Sequence, residues 1–300
     1  MATKKADANK VRQQASPRQA VQAFFKEFAI VFGAFLVLNS FVLASFEVPT
    51  GSMENEIMTG DFLLVNKFVF GGTTPKTIPF TTMRIPSFKL PAFWHVDRGD
   101  VIVFSFPGNR DEVEPAEFAY YLKRCVAVAG DTLQIINKVV YVNGKRAPVP
   151  RNVKFRENYV KPAGYPEPGV FPKGSLFNSD NYGPLVVPKV GQVIRLTAES
   201  LPAWEIFIRR EGHRVEMKGG RIFIDGTQQA TYTVGRNYVF GMGDNRDNSL
   251  DGRFWGFIPE EAVVGSPLIV YWSWDPDLPL INIVKKLSSV RLGRVGTLVR

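Results

Sequence analysis

One serine of this chain lies on a short, constrained segment, Phe46-Glu47-Val48-Pro49-Thr50-Gly51-Ser52-Met53. Pro49 fixes a backbone dihedral angle and Gly51 permits a tight turn, so Ser52 is presented on a constrained loop directly after a long apolar segment. A serine hydroxyl becomes an effective nucleophile when a base lies beside it. Taken alone, however, this segment predicts only a turn, because serine after glycine is common in loops.

A candidate base lies in the segment Tyr120-Tyr121-Leu122-Lys123-Arg124-Cys125-Val126-Ala127-Val128. Its composition is typical of a strand, and alternation places Lys123 on the same face as Tyr121, Cys125 and Ala127. On a face of small and aromatic residues, a lysine can lose its hydration. The alternative is that the ammonium group extends to water along its aliphatic stem, and the strand pattern alone leaves both possibilities open.

Metal chemistry is disfavoured by the residues that could bind a metal. The chain has two histidines, His95 and His213, and a single cysteine, Cys125, none of them in a zinc-ligand spacing. If the acidic segment 244–252 is aligned as a calcium loop from Asp247, Ile258 occupies the twelfth position, where a glutamate is required. We therefore expect no metal and no cofactor, and a single cysteine excludes an intrachain disulfide.

Residues 28–46 carry no charge, and in a helix this length spans roughly the hydrocarbon core of a bilayer. We interpret them as an uncleaved transmembrane anchor. The alternative is a cleavable signal peptide, with Leu43-Ala44-Ser45 as a passable cleavage site. Residues 1–27 carry a net charge of +4, which predicts a cytoplasmic N-terminus and places the rest of the chain outside the cytoplasm.

The net charge of +9 is concentrated at the two ends of the chain. Residues 1–27 contribute +4 and residues 285–300 contribute +5, so the residues between them are neutral overall. No nucleic-acid-binding motif is present, so we exclude nucleic acid as a partner. The basic ends are interpreted as solvated tails or as contacts to anionic lipid headgroups of the bilayer.

The part after the anchor has the sequence pattern of antiparallel strands. Short β-branched or aromatic runs occur at 62–70, 101–106, 120–128, 133–142, 193–196, 204–209, 221–224 and 238–241. Asn143-Gly144 and Asp225-Gly226 are hairpin signals. The proline-rich stretches 71–94 and 147–188 are unsuited to central strands.

These patterns predict a mainly β fold preceded by one N-terminal transmembrane helix. We expect a basic leader (1–27), an anchor (28–46), a first catalytic half (47–139), an inserted β-rich subdomain (140–237), and a second catalytic half with a C-terminal tail (238–300). Nothing in the sequence demands more than a monomer.

Four segments in order resemble the motifs of bacterial type I signal peptidases. They are the segment around Ser52, the segment Arg98-Gly99-Asp100-Val101-Ile102-Val103-Phe104, the segment around Lys123, and Gly243-Asp244-Asn245-Arg246-Asp247-Asn248-Ser249-Leu250-Asp251-Gly252-Arg253-Phe254-Trp255-Gly256. The resemblance covers roughly half of the chain and does not extend firmly into the proline-rich insertion. The chain departs from the family pattern at Glu54-Asn55-Glu56, where many members have a proline.

The resemblance implies a role for each motif residue. Ser52 would be the nucleophile and Lys123 its general base, with the Thr50 hydroxyl and the Ser52 backbone N–H as oxyanion donors. Ser249 would bond and orient the lysine, and Asp251 and Arg253 would form a supporting ion pair. Phe46 and Val48 would border shallow pockets for small substrate side chains.

The implied activity is removal of signal peptides from exported precursor proteins at the outer face of the cytoplasmic membrane. A lysine with a pKa of about 10.4 is neutral in only about 0.04% of molecules at pH 7, so burial must lower the pKa of Lys123. Two alternatives remain: a specialised serine/lysine peptidase for a conjugation or pilus precursor, and a non-catalytic membrane-anchored β-rich binding protein.

Overall fold

A computed structural model describes residues 17–74, 83 and 86–299, so the leader residues 1–16 and their predicted charges lie outside the described residues. Four helices are described: α1 (Pro17–Phe41), α2 (Leu201–Arg210), α3 (Gly252–Trp255) and α4 (Ile283–Ser288). The described strands are β1 (Leu43–Glu47), β2 (Asp61–Asn66), β3 (Val101–Ser105), β4 (Tyr120–Val128), β5 (Thr132–Ile136), β6 (Val139–Val142), β7 (Lys145–Arg146), β8 (Tyr182–Val186), β9 (Val193–Arg195), β10 (Val215–Lys218), β11 (Arg221–Ile224), β12 (Thr227–Gln228), β13 (Thr231–Thr233), β14 (Tyr238–Met242), β15 (Ile258–Pro259) and β16 (Val263–Ser273).

The main sheet has the strand order β1-β2-β16-β3-β4-β14-β15, and all its pairs are antiparallel. Strand β16, from near the C-terminus, lies between β2 and β3. The two chain segments that carry the family-like motifs therefore form one continuous sheet. The predicted mainly antiparallel β class is confirmed.

A second β region follows β4, with a four-stranded sheet (β7-β6-β5-β8), a three-stranded sheet (β10-β11-β12) and the pair β13-β9. It begins at Thr132, eight residues before the predicted boundary, because β5 pairs with β6 and β8. Its buried Leu133 and Ile135 share one hydrophobic cluster with Phe240 of β14. The second region is thus packed onto the main sheet rather than built on a separate core.

The structure confirms both hairpin signals and contradicts two strand predictions. Residues 133–142, predicted as one run, form the hairpin of β5 and β6, with a turn at Asn137 and Lys138, whose φ angles are 49° and 69°. Asn143 and Gly144 have φ angles of 54° and 73°, and Asp225 and Gly226 have 50° and 80°, as tight hairpin turns require. Residues 204–209, predicted as a strand, lie in α2, where Pro202 occupies the first turn. α2 buries Phe207 and Ile208, so tertiary packing overrides the strand-like composition.

α1 is the one described helix long and apolar enough to cross a bilayer. It begins at Pro17, within the predicted leader, and ends at Phe41, five residues before the predicted end of the anchor. The next apolar residues form β1, whose backbone pairs with β2 from Leu43 to Glu47. Pairing with a sheet edge satisfies these backbone groups, so the main sheet begins directly after the helix.

Candidate active site

Ser52 lies in a single 3₁₀ turn, Gly51–Met53, between β1 and β2. Two hydrogen bonds from one residue hold this turn: the backbone N–H of Asn245 donates to the Ser52 carbonyl at 3.0 Å, and Asn245 Nδ2 donates to the Gly51 carbonyl at 3.0 Å. Met53, on the buried side of the turn, packs into the core of the main sheet. The serine side chain is thereby fixed in position and largely removed from water.

Lys123 lies in β4, opposite Ile102 of β3. Its Nζ donates to Ser52 Oγ at 2.7 Å and to the Leu122 carbonyl at 3.0 Å. The Tyr121 and Trp255 rings lie within 6 Å of Nζ, at 5.6 and 5.8 Å. Lys123 is only 3% exposed. Of the two possibilities that the strand pattern left open, the structure therefore shows the buried amine and not an ammonium group that extends to water.

Burial lowers the pKa of Lys123 to about 8, because the charged form loses its hydration. The nearby Asp251 carboxylate opposes this effect and the Arg253 guanidinium adds to it. A substantial fraction of the lysine is therefore neutral near pH 7 to 8. A neutral amine within hydrogen-bond distance of a serine hydroxyl has the geometry of a general base and its nucleophile.

Asp251 and Arg253 form a buried ion pair at 2.8 Å. Asp251 also accepts hydrogen bonds from the backbone N–H groups of Gly243 at 3.0 Å and Arg253 at 3.1 Å. The pair therefore holds the motif segment 243–253 in a folded-back conformation beside the Ser52 turn.

Ser249 does not make the hydrogen bond to Lys123 that the resemblance implies. Its Oγ is buried and has no hydrogen-bond partner among the described residues. The backbone of Gly243 separates Ser249 from the Ser52 turn: a Cβ at this position would lie 2.2 Å from Ser249 Oγ and 2.5 Å from the Ser52 carbonyl oxygen. Only glycine permits such a close approach.

The remaining predicted site residues lie along the segment leading to Ser52. Thr50 has an extended backbone, is exposed, and makes no capping hydrogen bond with its side chain. Phe46 is half-buried against the Tyr120 ring, with the ring centroids 5.1 Å apart. Val48 is 5% exposed and lies in the same hydrophobic cluster as Met53 of the turn.

Sequence reasoning missed three residues that hold the Ser52 turn in place. Asn245 bonds the turn directly, as described above. Glu54 accepts hydrogen bonds from Asn245 Nδ2 at 3.1 Å and from Lys154 Nζ at 3.1 Å, which links the turn to the inserted region. The position of Asn245 within a recognised motif was the available signal; for Glu54 and Lys154 the sequence offered none.

The two histidines lie away from this site and each contacts a carboxylate: His95 contacts Glu260 at 2.8 Å and His213 contacts Asp225 at 2.7 Å. Within residues 17–74, 83 and 86–299, no group of three or more His, Cys, Asp and Glu residues is arranged to hold a metal ion.

A buried serine and lysine in contact on an antiparallel β scaffold define a serine hydrolase class of site. The family profile described as "Signal peptidase, peptidase S26" matches residues 21–272. The chain belongs to this peptidase family and is a serine peptidase.

Several relatives agree with this assignment. Signal peptidase I of Buchnera aphidicola (Schizaphis graminum) is 30% identical over 86% of this chain and 75% of its own length. The Pseudomonas aeruginosa enzyme is 30% identical over 86% and 74%, and the Rickettsia typhi enzyme is 27% identical over 95% and 96%. A solved signal peptidase I from Enterococcus faecalis aligns with 57% of this chain at 18% identity and a TM-score of 0.26, too weak a match to inform the fold.

Proposed function

We propose that this protein is a membrane-bound serine endopeptidase that removes signal peptides from exported precursor proteins at the outer face of the cytoplasmic membrane. Ser52 is the nucleophile and neutral Lys123 is the general base. The observation that carries the proposal is the 2.7 Å contact between Lys123 Nζ and Ser52 Oγ in a buried site. Family membership and the relatives named signal peptidase I support the substrate class.

In the proposed reaction, Lys123 Nζ takes the Ser52 proton while Oγ attacks the scissile carbonyl carbon. The tetrahedral intermediate collapses, Lys123 returns the proton to the leaving amine, and the signal peptide remains esterified to Ser52. Lys123 then deprotonates a water molecule that attacks the ester carbonyl carbon. The bond to Ser52 Oγ breaks, Lys123 returns the proton to Oγ, and the signal peptide leaves with a free carboxyl group. All of these proton transfers use one amine, for which a pKa of about 8 is well matched near neutral pH.

The neighbouring residues have supporting roles in this proposal. The Ser52 N–H and the exposed Thr50 hydroxyl donate to the oxyanion. Asp251 and Arg253 fix the segment beside Lys123. Ser249, whose hydroxyl has no partner among the described residues, bonds and orients the lysine once a precursor occupies the site. Phe46 and Val48 border the pockets for small side chains.

The anchor determines where cleavage occurs. α1 fits a single membrane span, and Arg18 and Lys26 near its start favour a cytoplasmic N-terminus. Only ten residues lie between Phe41 and Ser52, and five of them are fixed in β1. The nucleophile is thus held close to the membrane surface, where the cleavage site of a membrane-inserted precursor is presented.

Cleavage of a secretory precursor by the full-length protein tests this proposal. Ser52→Ala and Lys123→Ala should each abolish cleavage after a small-x-small site. Matched controls on the surface, Ser288→Ala and Lys145→Ala, should retain it, since both residues are exposed. Persistent cleavage by folded Ser52→Ala protein would refute the mechanism, and cleavage of a single precursor only would indicate a specialised peptidase.

A further inference from the structure

A large cleft is lined by residues of the main sheet, the second β region and the C-terminal segment. It has a volume of about 1210 Å³, somewhat above the range of typical small-molecule sites. Asn55 and Glu56, which follow the Ser52 turn, and residues 145–152 are among its lining residues, and the Asn152 side-chain amide donates a hydrogen bond to the Glu56 carboxylate. Neither the catalytic proposal nor the family motifs give this cleft a role.

Only some of the cationic side chains that line the cleft form an ion pair with a carboxylate. Three lining arginines are paired with buried aspartates: Arg98 with Asp131, Arg124 with Asp244 and Arg294 with Asp61. For Lys145, Arg146, Arg151 and Arg246, no carboxylate of the described residues lies within ion-pair distance, and Glu56 is the one acidic lining residue. The cleft is therefore cationic although the body of the chain is neutral.

Arg246 is the most unusual of these residues. It is 6% exposed, yet its Nε has no hydrogen-bond partner among the described residues. Burial, together with the nearby Arg253, lowers the pKa of this guanidinium to about 10. A buried cation with an unsatisfied donor is costly unless an anion binds to it, and guanidinium groups bind phosphate with matching geometry.

Much of the remaining lining is apolar. Val140, Val142 and Leu298 face the cleft, and Leu298 is 56% exposed. The rim contains Pro148 and Pro150, which have no backbone N–H to donate. A peptide strand would find few main-chain partners there, whereas an acyl chain needs none.

We propose that this cleft binds an acidic phospholipid, with the headgroup phosphate on Arg246 and an acyl chain along the apolar wall. The proposal rests on the membrane placement given above, because an anchored α1 holds the β region at a bilayer surface. Arg146 and Arg151 at the rim attract the headgroup, and this attraction weakens with added salt.

Native mass spectrometry of the full-length protein in a nonionic detergent tests the site. With equimolar phosphatidylglycerol and phosphatidylcholine, we expect saturable binding of one phosphatidylglycerol with a preference of about tenfold or more, as for a charge-assisted contact. Arg246→Lys and the double variant R146Q/R151Q should each reduce this binding about tenfold. The control Arg221→Gln, an exposed arginine outside the cleft, should not.

Four results would overturn the proposal: equal binding of both lipids, unchanged binding in the double variant, full displacement by millimolar inorganic phosphate, or binding of an oligoglutamate peptide in place of lipid. Because R146Q/R151Q changes only exposed side chains, it separates loss of the site from loss of folding. Binding should persist in Ser52→Ala, so failure of the catalytic mechanism and failure of this site are distinguishable.

Discussion

The guanidinium of Arg124 forms a bidentate ion pair with the carboxylate of Asp244, with contacts of 2.9 and 2.7 Å, and both side chains are almost fully buried. Arg124 directly follows Lys123, and Asp244 directly precedes Asn245, which holds the Ser52 turn. This ion pair therefore fixes the strand of the candidate base to the segment that positions the nucleophile.

Asp244→Asn should lower the free energy of unfolding by about 3 to 5 kcal/mol, because it leaves the Arg124 cation buried without its partner. Urea unfolding of the detergent-solubilised protein measures this change. The control Asp111→Asn breaks the half-exposed pair with Arg110 and should cost at most about 1 kcal/mol. Equal losses of unfolding free energy in the two variants would show that the buried ion pair contributes no more to stability than the exposed one.

Cleavage should depend on pH through Lys123. Because only the neutral amine accepts the Ser52 proton and the pKa is lowered to about 8, kcat/KM should rise through an apparent pKa near 8 and level off above it. At pH 7 the rate should lie about tenfold below the plateau. A profile measured with a model precursor would contradict this assignment if its midpoint stayed near 10.

The same pKa predicts how stability varies with pH. A folded-state pKa lowered from 10.5 to about 8 means that the folded protein binds fewer protons than the unfolded chain between these values, so stability rises with pH across this window. Lys123→Met should therefore stabilise the fold by up to about 3 kcal/mol below pH 8, and this gain should disappear towards pH 10.5.

The measurement is the free energy of unfolding at pH 7 and pH 10. Lys145→Met, which replaces an exposed lysine, is the control and should give a difference within about 0.5 kcal/mol at both values. A pH-independent effect of Lys123→Met would contradict a lowered pKa.

Gly243→Ala should impair catalysis by displacing the nucleophile. The added Cβ would meet the Ser52 carbonyl at 2.5 Å and Ser249 Oγ at 2.2 Å, so one of the two segments must shift. A displacement of about 1 Å at such a site reduces kcat/KM roughly 10²-fold. Gly293→Ala, whose Cβ meets nothing within 4 Å, is the control and should leave cleavage unchanged.

Thr50 tests the proposed oxyanion site. Thr50→Val removes the hydroxyl while keeping the side-chain shape, and kcat should fall by about 10²-fold, the usual loss for one oxyanion donor. Thr50→Ser should retain most activity. Because Thr50 is exposed, neither variant should change the melting temperature, and an equal loss in both variants would exclude a role for the hydroxyl.

Features set by local rules were predictable from the sequence. The alternating residue pattern predicted the strand β4 that contains Lys123. The pairs Asn143-Gly144 and Asp225-Gly226 predicted hairpin turns, because asparagine, aspartate and glycine tolerate positive φ. The same rules gave the wrong element for residues 204–209, since that apolar run also fits the buried face of a helix. The end of α1 was misplaced because β1 is as apolar as the helix before it.

The sequence by itself determined the family, the mainly β class and the identity of the candidate nucleophile and base, because ordered motifs and strand periodicity depend only on the order of the residues. Only the tertiary structure decided that Ser52 and Lys123, 71 residues apart, meet at 2.7 Å, that Ser249 Oγ has no partner among the described residues, and that no described carboxylate lies within ion-pair distance of the buried Arg246. Contact and desolvation depend on which distant segments pack together, and no local pattern specifies them.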